Sequence, residues 1–154
     1  MLRCSHATLK TQYLEVFCAM SKIRKFKDLI VWRLASEFSK EMSELVRTFP
    51  KHERYILAND LLRAARSIPS NIAEGWGRLF PKEKISFYNI ANGSAEECSN
   101  HLIEAFNNGY IDEKANKLYQ KRLHIIMIKL TNLIASTRKR IMSSAKRVSN
   151  GELE

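Results

Sequence analysis

Glu97, Cys98, His101 and Glu104 fall within one eight-residue stretch and are the residues with the most obvious chemical potential in this sequence. On a helix, His101 would lie within reach of the carboxylates at i−4 and i+3, Glu97 and Glu104. Cys98 and His101 could also be drawn as two metal ligands, but a single helical spacing falls far short of a closed site. Cys98 has no activating partner in its neighbourhood, so a nucleophilic role is not expected. An ordinary helix surface with one core cysteine accounts for the same residues. His52 and His124 stand alone. No GxxxxGK[ST], GxGxxG or HExxH motif occurs, and Gly75-Trp76-Gly77 is too short to cradle a phosphate by itself. The expectation is a protein without catalytic residues, without a metal and without a cofactor.

The cations point elsewhere. Lys and Arg number 26 against 16 Asp and Glu, giving a formal net charge of +10. Such a balance favours an anionic partner, nucleic acid before a membrane surface. Arg63, Arg66, Arg78, Lys82 and Lys84 cluster around one proline- and glycine-marked stretch. Arg138, Lys139, Arg140, Lys146 and Arg147 crowd the segment from Thr137 to Ser149, which has no acidic residue. These ten are the candidate phosphate contacts. A solvated, disordered tail is the other reading of the second cluster. Aromatic interleaving is thin: Trp76 and Phe80, beside Arg78, are the only plausible stacking pair.

Four helical patterns must position these residues, in one domain of 154 residues. The first, about Lys27 to Arg47, carries Leu29, Trp32, Ala35, Phe38, Met42, Leu45 and Val46 on one stripe, and Phe49-Pro50 marks its turn. The second starts near Lys51 or His52, with Ala58, Leu61, Leu62, Ala65 and Ile68 inward. Pro69 removes an N–H and crowds the Ala65 carbonyl, so a kink or stop is expected there. Apolar residues resume at Ile72 and Ala73, indicating a kinked continuation that Gly75 and Gly77 end. Ser67, Ser70 and Asn71 are placed to satisfy backbone groups freed at the kink. Pro81 suits the first turn of the third helix, about Lys82 to Asn107, with Tyr88, Ala91, Ala95, Cys98, Leu102, Ala105 and Phe106 inward. Asn107-Asn108-Gly109 is a strong stop. The fourth runs from about Glu113 past Thr137. Its apolar band, which includes Leu118, Leu123, Ile125, Ile128 and Ile134, is too wide for one face and predicts a subunit interface.

The stretch RAARSIPSNIAEGWGR (63–78) resembles the signature of the 23S ribosomal RNA intervening-sequence proteins, a four-helix-bundle family. Phe26 to Trp32 resembles the family's opening, Phe49 to Tyr55 its first inter-helix turn, and Ile90 to Glu97 its third helix. The match covers about Phe26 to Ser136. It implies an all-α, antiparallel up-down four-helix bundle with a kinked second helix. A related group, the accessory proteins of diversity-generating retroelements, forms basic pentamers that work with nucleic acid and a reverse transcriptase, so the resemblance adds a ring-shaped homopentamer.

Taken together, the sequence reads as 1–24, an N-terminal extension; 25–137, the bundle; and 138–154, a basic arm. The function expected is non-enzymatic binding of nucleic acid, RNA rather than DNA, through phosphate contacts, in association with ribosomal RNA or an intervening sequence. The alternative is a protein-interaction scaffold whose basic surface meets an acidic protein or a reverse-transcriptase-like partner. No apolar run is long enough to span a bilayer and no helix suits a membrane surface, no leader is expected, and three irregularly spaced cysteines suit a reducing cytoplasm. Met20 lies just before the first motif and is a natural start, which makes Met1 to Ala19 an upstream extension. Mass spectrometry of natively expressed protein should then find no peptide containing Leu9 to Val16; finding one contradicts the reading.

Overall fold

The structure, a computed structural model, describes residues 23–149, with side chains described through 143; the extension expected at the N-terminus lies mostly outside the described residues. It is all-helical over that span: α1 (Ile30–Leu45), α2 (Leu57–Gly77), α3 (Pro81–Asn107) and α4 (Glu113–Ser149), with three short 3-10 turns at 26–28, 46–48 and 51–53. No strand occurs among the described residues. The broadest packing is between α2 and α3, followed by α3 with α4 and α1 with α2, while α1 and α4 touch more sparsely. One core results, with Phe38, Met42, Leu61, Ile68, Ile72, Tyr88, Leu102, Leu123 and Leu130 fully buried.

The α2–α3 contact is close because the residues along it are small. Ala64, Ala65, Ala91 and Ala95 are buried there, and the Cys98 thiol lies 3.9 Å from the Leu61 carbonyl oxygen. Ser67 Oγ and Ser94 Oγ are 2.8 Å apart, Ser94 Oγ also donates to the Ile90 carbonyl, and Asn71 Nδ2 donates to both the Ser67 carbonyl and its hydroxyl. This polar thread is satisfied within the interface, so its burial carries little penalty. At Gly75 the approach is closest. A Cβ built there would lie 2.7 Å from Tyr88 Cε1 and 2.9 Å from Cδ1, on a ring that is itself buried.

Several local expectations hold, and some take a different form. α2 passes Pro69 and ends at Gly77, as the resumed apolar pattern implied. Ser70 Oγ bonds the Arg66 carbonyl and Asn71 the Ser67 carbonyl, whereas Ser67 turns its hydroxyl to α3. Gly75 is buried and is required by the Tyr88 ring; neither it nor Gly77 has a positive φ, which among the described residues only Gly109 has, at 73°. Around Gly109, its own N–H bonds the Phe106 carbonyl and the Tyr110 N–H bonds the Ala105 carbonyl, the paired closure that stops a helix. Asp112 Oδ1 then caps α4 by accepting the Ala115 N–H at 2.7 Å.

The apolar stripes are partly redrawn. Val31 and Ser39 are buried on α1 while Trp32 and Leu45 are half-buried; Leu62 on α2 is half-buried, and Phe106 on α3 is at the surface. On α4, Leu123, Ile126, Leu130 and Ile134 enter the core, and Leu118, Ile125 and Ile128 are left exposed. The segment 138–149 continues α4 without interruption.

Gly75→Val should destabilise the protein by about 1–3 kcal/mol, the usual range for overpacking a filled core. Denaturant unfolding followed by circular dichroism checks this; a midpoint equal to that of the unaltered chain contradicts the tight α2–α3 fit.

Candidate nucleic-acid interface

The ten candidate cations divide into groups that the helices hold apart. Arg63 and Arg66 lie on the middle of α2, and Arg78 follows its C-terminal end, about 22 Å from Arg63 at 1.5 Å per helical residue. Arg63 sits 3.5 Å from Asp60 and 3.4 Å from Glu97, and Arg78 pairs with Glu74 while stacking over the Phe87 ring at 4.5 Å. Both arginines already have carboxylate neighbours on their own surface. Arg66 is exposed and has no ion pair among the described residues. The cations expected around the proline are therefore spread along α2, with Arg63 and Arg78 beside carboxylates.

A second gathering forms where α3 begins. Lys82 is exposed in its first turn, and Lys84 folds back to donate a 2.7 Å hydrogen bond to the Trp76 carbonyl, with its ammonium 5.7 Å from the Trp76 ring centre. Arg138, Lys139 and Arg140 are exposed on α4. Arg140 reaches this corner, lining one pocket with Lys84 and Tyr88 and another with Phe80 and Lys82. Burial, and then the Arg140 charge, holds the Lys84 ammonium below its ordinary pKa. Burial also pushes the Tyr88 hydroxyl up to about 12, against the opposing pull of Arg140. Lys146 and Arg147 lie further along the same helix, and their side chains are outside the described residues.

The expected stacking pair separates. Trp76 is half-buried with Lys84 over its ring, whereas Phe80 is 66% exposed beside Leu79 at 87%. Phe80 alone is open to a flat ligand. Arg24, Lys25 and Lys27 were not among the ten candidates. Their segment meets the same corner, because Ile23 and Leu29 line the pocket that Lys84 and Arg140 share. The backbone N–H groups of Lys25 and Arg24 both donate to Asp28, which fixes the turn and holds that carboxyl below its usual range. The run IRKFK, with three cations in four residues, was the signal available.

The stretch with catalytic potential is quiet. Cys98 is buried, and burial followed by the Glu97 charge pushes its thiol up to about 12, far from a thiolate at neutral pH. His101 lies 3.9 Å from Glu97 and 3.7 Å from Glu104, ion-pair separations without a hydrogen bond. Among the described residues no group of three or more His, Cys, Asp or Glu is placed to hold a metal ion. Nor, among them, is any helix long and apolar enough to cross a membrane.

No curated protein matches the chain. A crystal structure of a protein of unknown function from the S23 ribosomal protein family of Bacteroides thetaiotaomicron VPI-5482 is similar in fold, with a TM-score of 0.64 at 22% identity, covering 68% of this chain and 98% of that one. The family model for the 23S rRNA-intervening sequence protein matches residues 27–132. The match spans well over half of the chain, and the protein belongs to the 23S rRNA-intervening sequence protein family.

Proposed function

We propose that this protein is an oligomeric, non-enzymatic nucleic-acid-binding bundle that takes RNA in preference to DNA, in the cytoplasm, through contacts to phosphates. The observation that carries the reading is the convergence at one corner of Lys82 and Lys84 from α3 with Arg140 from α4. Glu83 is the one acid in the same turn of α3. The family's association with 23S rRNA intervening sequences supports ribosomal or intervening RNA as the polymer. Binding of this kind reads backbone and shape rather than base identity.

The bundle in this reading is antiparallel and up-down, bent at Pro69, and closes with copies of itself into a ring, a pentamer by family resemblance. The uncovered part of the α4 band supports self-association: Leu118 is 53%, Ile128 46% and Ile125 39% exposed. Repeating a modest phosphate site around a ring raises avidity without new contacts. A protein-interaction scaffold is the second reading, favoured by the exposed Leu79 and Phe80 beside the same cations.

Two outcomes are expected. Replacing Lys82, Lys84 and Arg140 together with Gln should lower the slope of log affinity against log salt for RNA by about one per lost phosphate contact, up to about three. Replacing Arg63 and Arg78 together should change it less, because carboxylates already meet them. Filter retention with helicity checked by circular dichroism measures both, and the reverse ranking contradicts the corner as the interface. Ile128→Lys should reduce the sedimenting mass toward that of a single 17.9 kDa chain; an unaltered chain that already sediments at that mass refutes self-association.

A further inference from the structure

The turn between α1 and α2 lies at the other end of α2 from that corner, about 30 Å away along its 21 helical residues. It holds a pocket of about 330 Å³, with Val46, Phe49 and Leu62 as apolar wall. Arg47, Lys51 and Arg54 line the same space, and no carboxylate does among the described residues. Glu53, the one acid between positions 46 and 59, is engaged elsewhere. Its carboxylate accepts the Leu57 N–H at 3.3 Å and the Tyr110 hydroxyl at 2.9 Å. Arg47 lies 3.0 Å from Glu44 in an exposed pair that water screens. Lys51 and Arg54 are exposed and have no ion pair among the described residues. The turn thus presents cations whose charge its own acid does not meet, around an apolar hollow.

We propose that this pocket takes one unpaired nucleotide, its base against the apolar wall and its flanking phosphates on Lys51 and Arg54. The inference rests on the proposed RNA reading for its polymer and goes beyond it by naming a site away from the corner and the strand form that site selects. The mixture of walls decides the class of ligand. A bare anion leaves the apolar surface wet, and an apolar ligand leaves the cations unmet. A nucleotide carries a flat base and a charged phosphate on one frame, and so answers both. Asn59 also lines the pocket and brings an amide, donor and acceptor together, which suits the polar edge of a base. Tyr55, exposed directly after Arg54, offers an aromatic face in the same turn to a neighbouring base. A base inside a duplex is already stacked and paired, so the pocket is filled only from a single strand, a loop or a bulge. Contact with the face of a base tolerates any sequence, so selection falls on strand form rather than on base identity.

The test uses the full chain with a short single-stranded RNA, an abasic strand of the same length and charge, and a duplex of the RNA. The base-bearing strand should bind at least about fivefold more tightly than the abasic one, the lower end of what one stacked base contributes. Asn59→Leu, at an exposed position, removes the amide and fills the rim; it should cancel that preference and leave abasic and duplex binding unchanged. Lys51→Gln with Arg54→Gln should lower the salt slope of the single strand by about two. Circular dichroism checks that both variants keep their helicity, and either one alone carries the test. Equal affinity for the base-bearing and abasic strands overturns this inference and leaves the corner standing as the RNA interface. A preference that both variants leave intact places the base elsewhere and overturns it too. Polyglutamate of equal charge that binds as tightly as the single strand overturns it in favour of an acidic protein partner. An unaltered chain that retains no strand refutes the RNA reading, and uridine 5′-monophosphate then tests the pocket by itself. Calorimetric binding of that nucleotide, lost in Lys51→Gln with Arg54→Gln, supports the pocket, and no binding overturns it.

Discussion

The close approach of α2 to α3 is the constraint on which the rest of the structure depends. Two helices come this near only when the residues between them are small, and here Gly75, Ala64, Ala65, Ala91, Ala95, Ser67 and Ser94 meet that demand. Gly75 has the strictest role, because the buried Tyr88 ring occupies the volume of any side chain placed there. Tyr88 in turn walls the corner pocket, and Lys84, one turn before it, folds back onto the Trp76 carbonyl at the end of α2. The helix contact that builds the core thus also sets where the cations of α3 stand.

Charge in this protein has meaning only after local pairing is accounted for. A net +10 says that cations outnumber acids, and the structure shows where that excess is already met. Elsewhere on the bundle it is balanced: Arg63 by Asp60 and Glu97, Arg78 at the end of α2 by Glu74, and Arg122 on α4 by Glu41 and Glu37 on α1. Exposed pairs of this kind add little stability, but they lower the local potential that would attract a polyanion. At the start of α3 the cations come from separate helices and crowd one another, which is why Lys84 feels Arg140 as a repulsion.

Much of the fold was legible in the sequence because helical periodicity, Pro81 and Asn107-Asn108-Gly109 report locally what the backbone does. The bounds of α3 and α4, and the end of α2 at Gly77, follow from such signals. What could not be read was anything set by a partner helix. Gly75 serves a ring thirteen residues later, and Phe106 reaches the surface despite lying on the apolar stripe. The candidate site was legible in composition and not in arrangement. Arg63 and Lys84 belong to one cluster in sequence and to different surfaces in space, whereas Lys84 and Arg140, fifty-six residues apart, share a pocket. Segment 23–29 was overlooked as part of that surface because its position depends on Ile23 and Leu29 packing against α3 and α4.

The most direct test of the central claim, that this bundle holds RNA by its phosphates, is the affinity of the unaltered protein for one RNA across a salt series, with its sedimenting mass determined in the same buffer. The account predicts binding at low salt whose logarithm falls linearly and steeply with the logarithm of salt, several contacts' worth in slope. An intact oligomer that retains no RNA at low salt would contradict it, and would assign the basic corner and its exposed Leu79 and Phe80 to a protein partner.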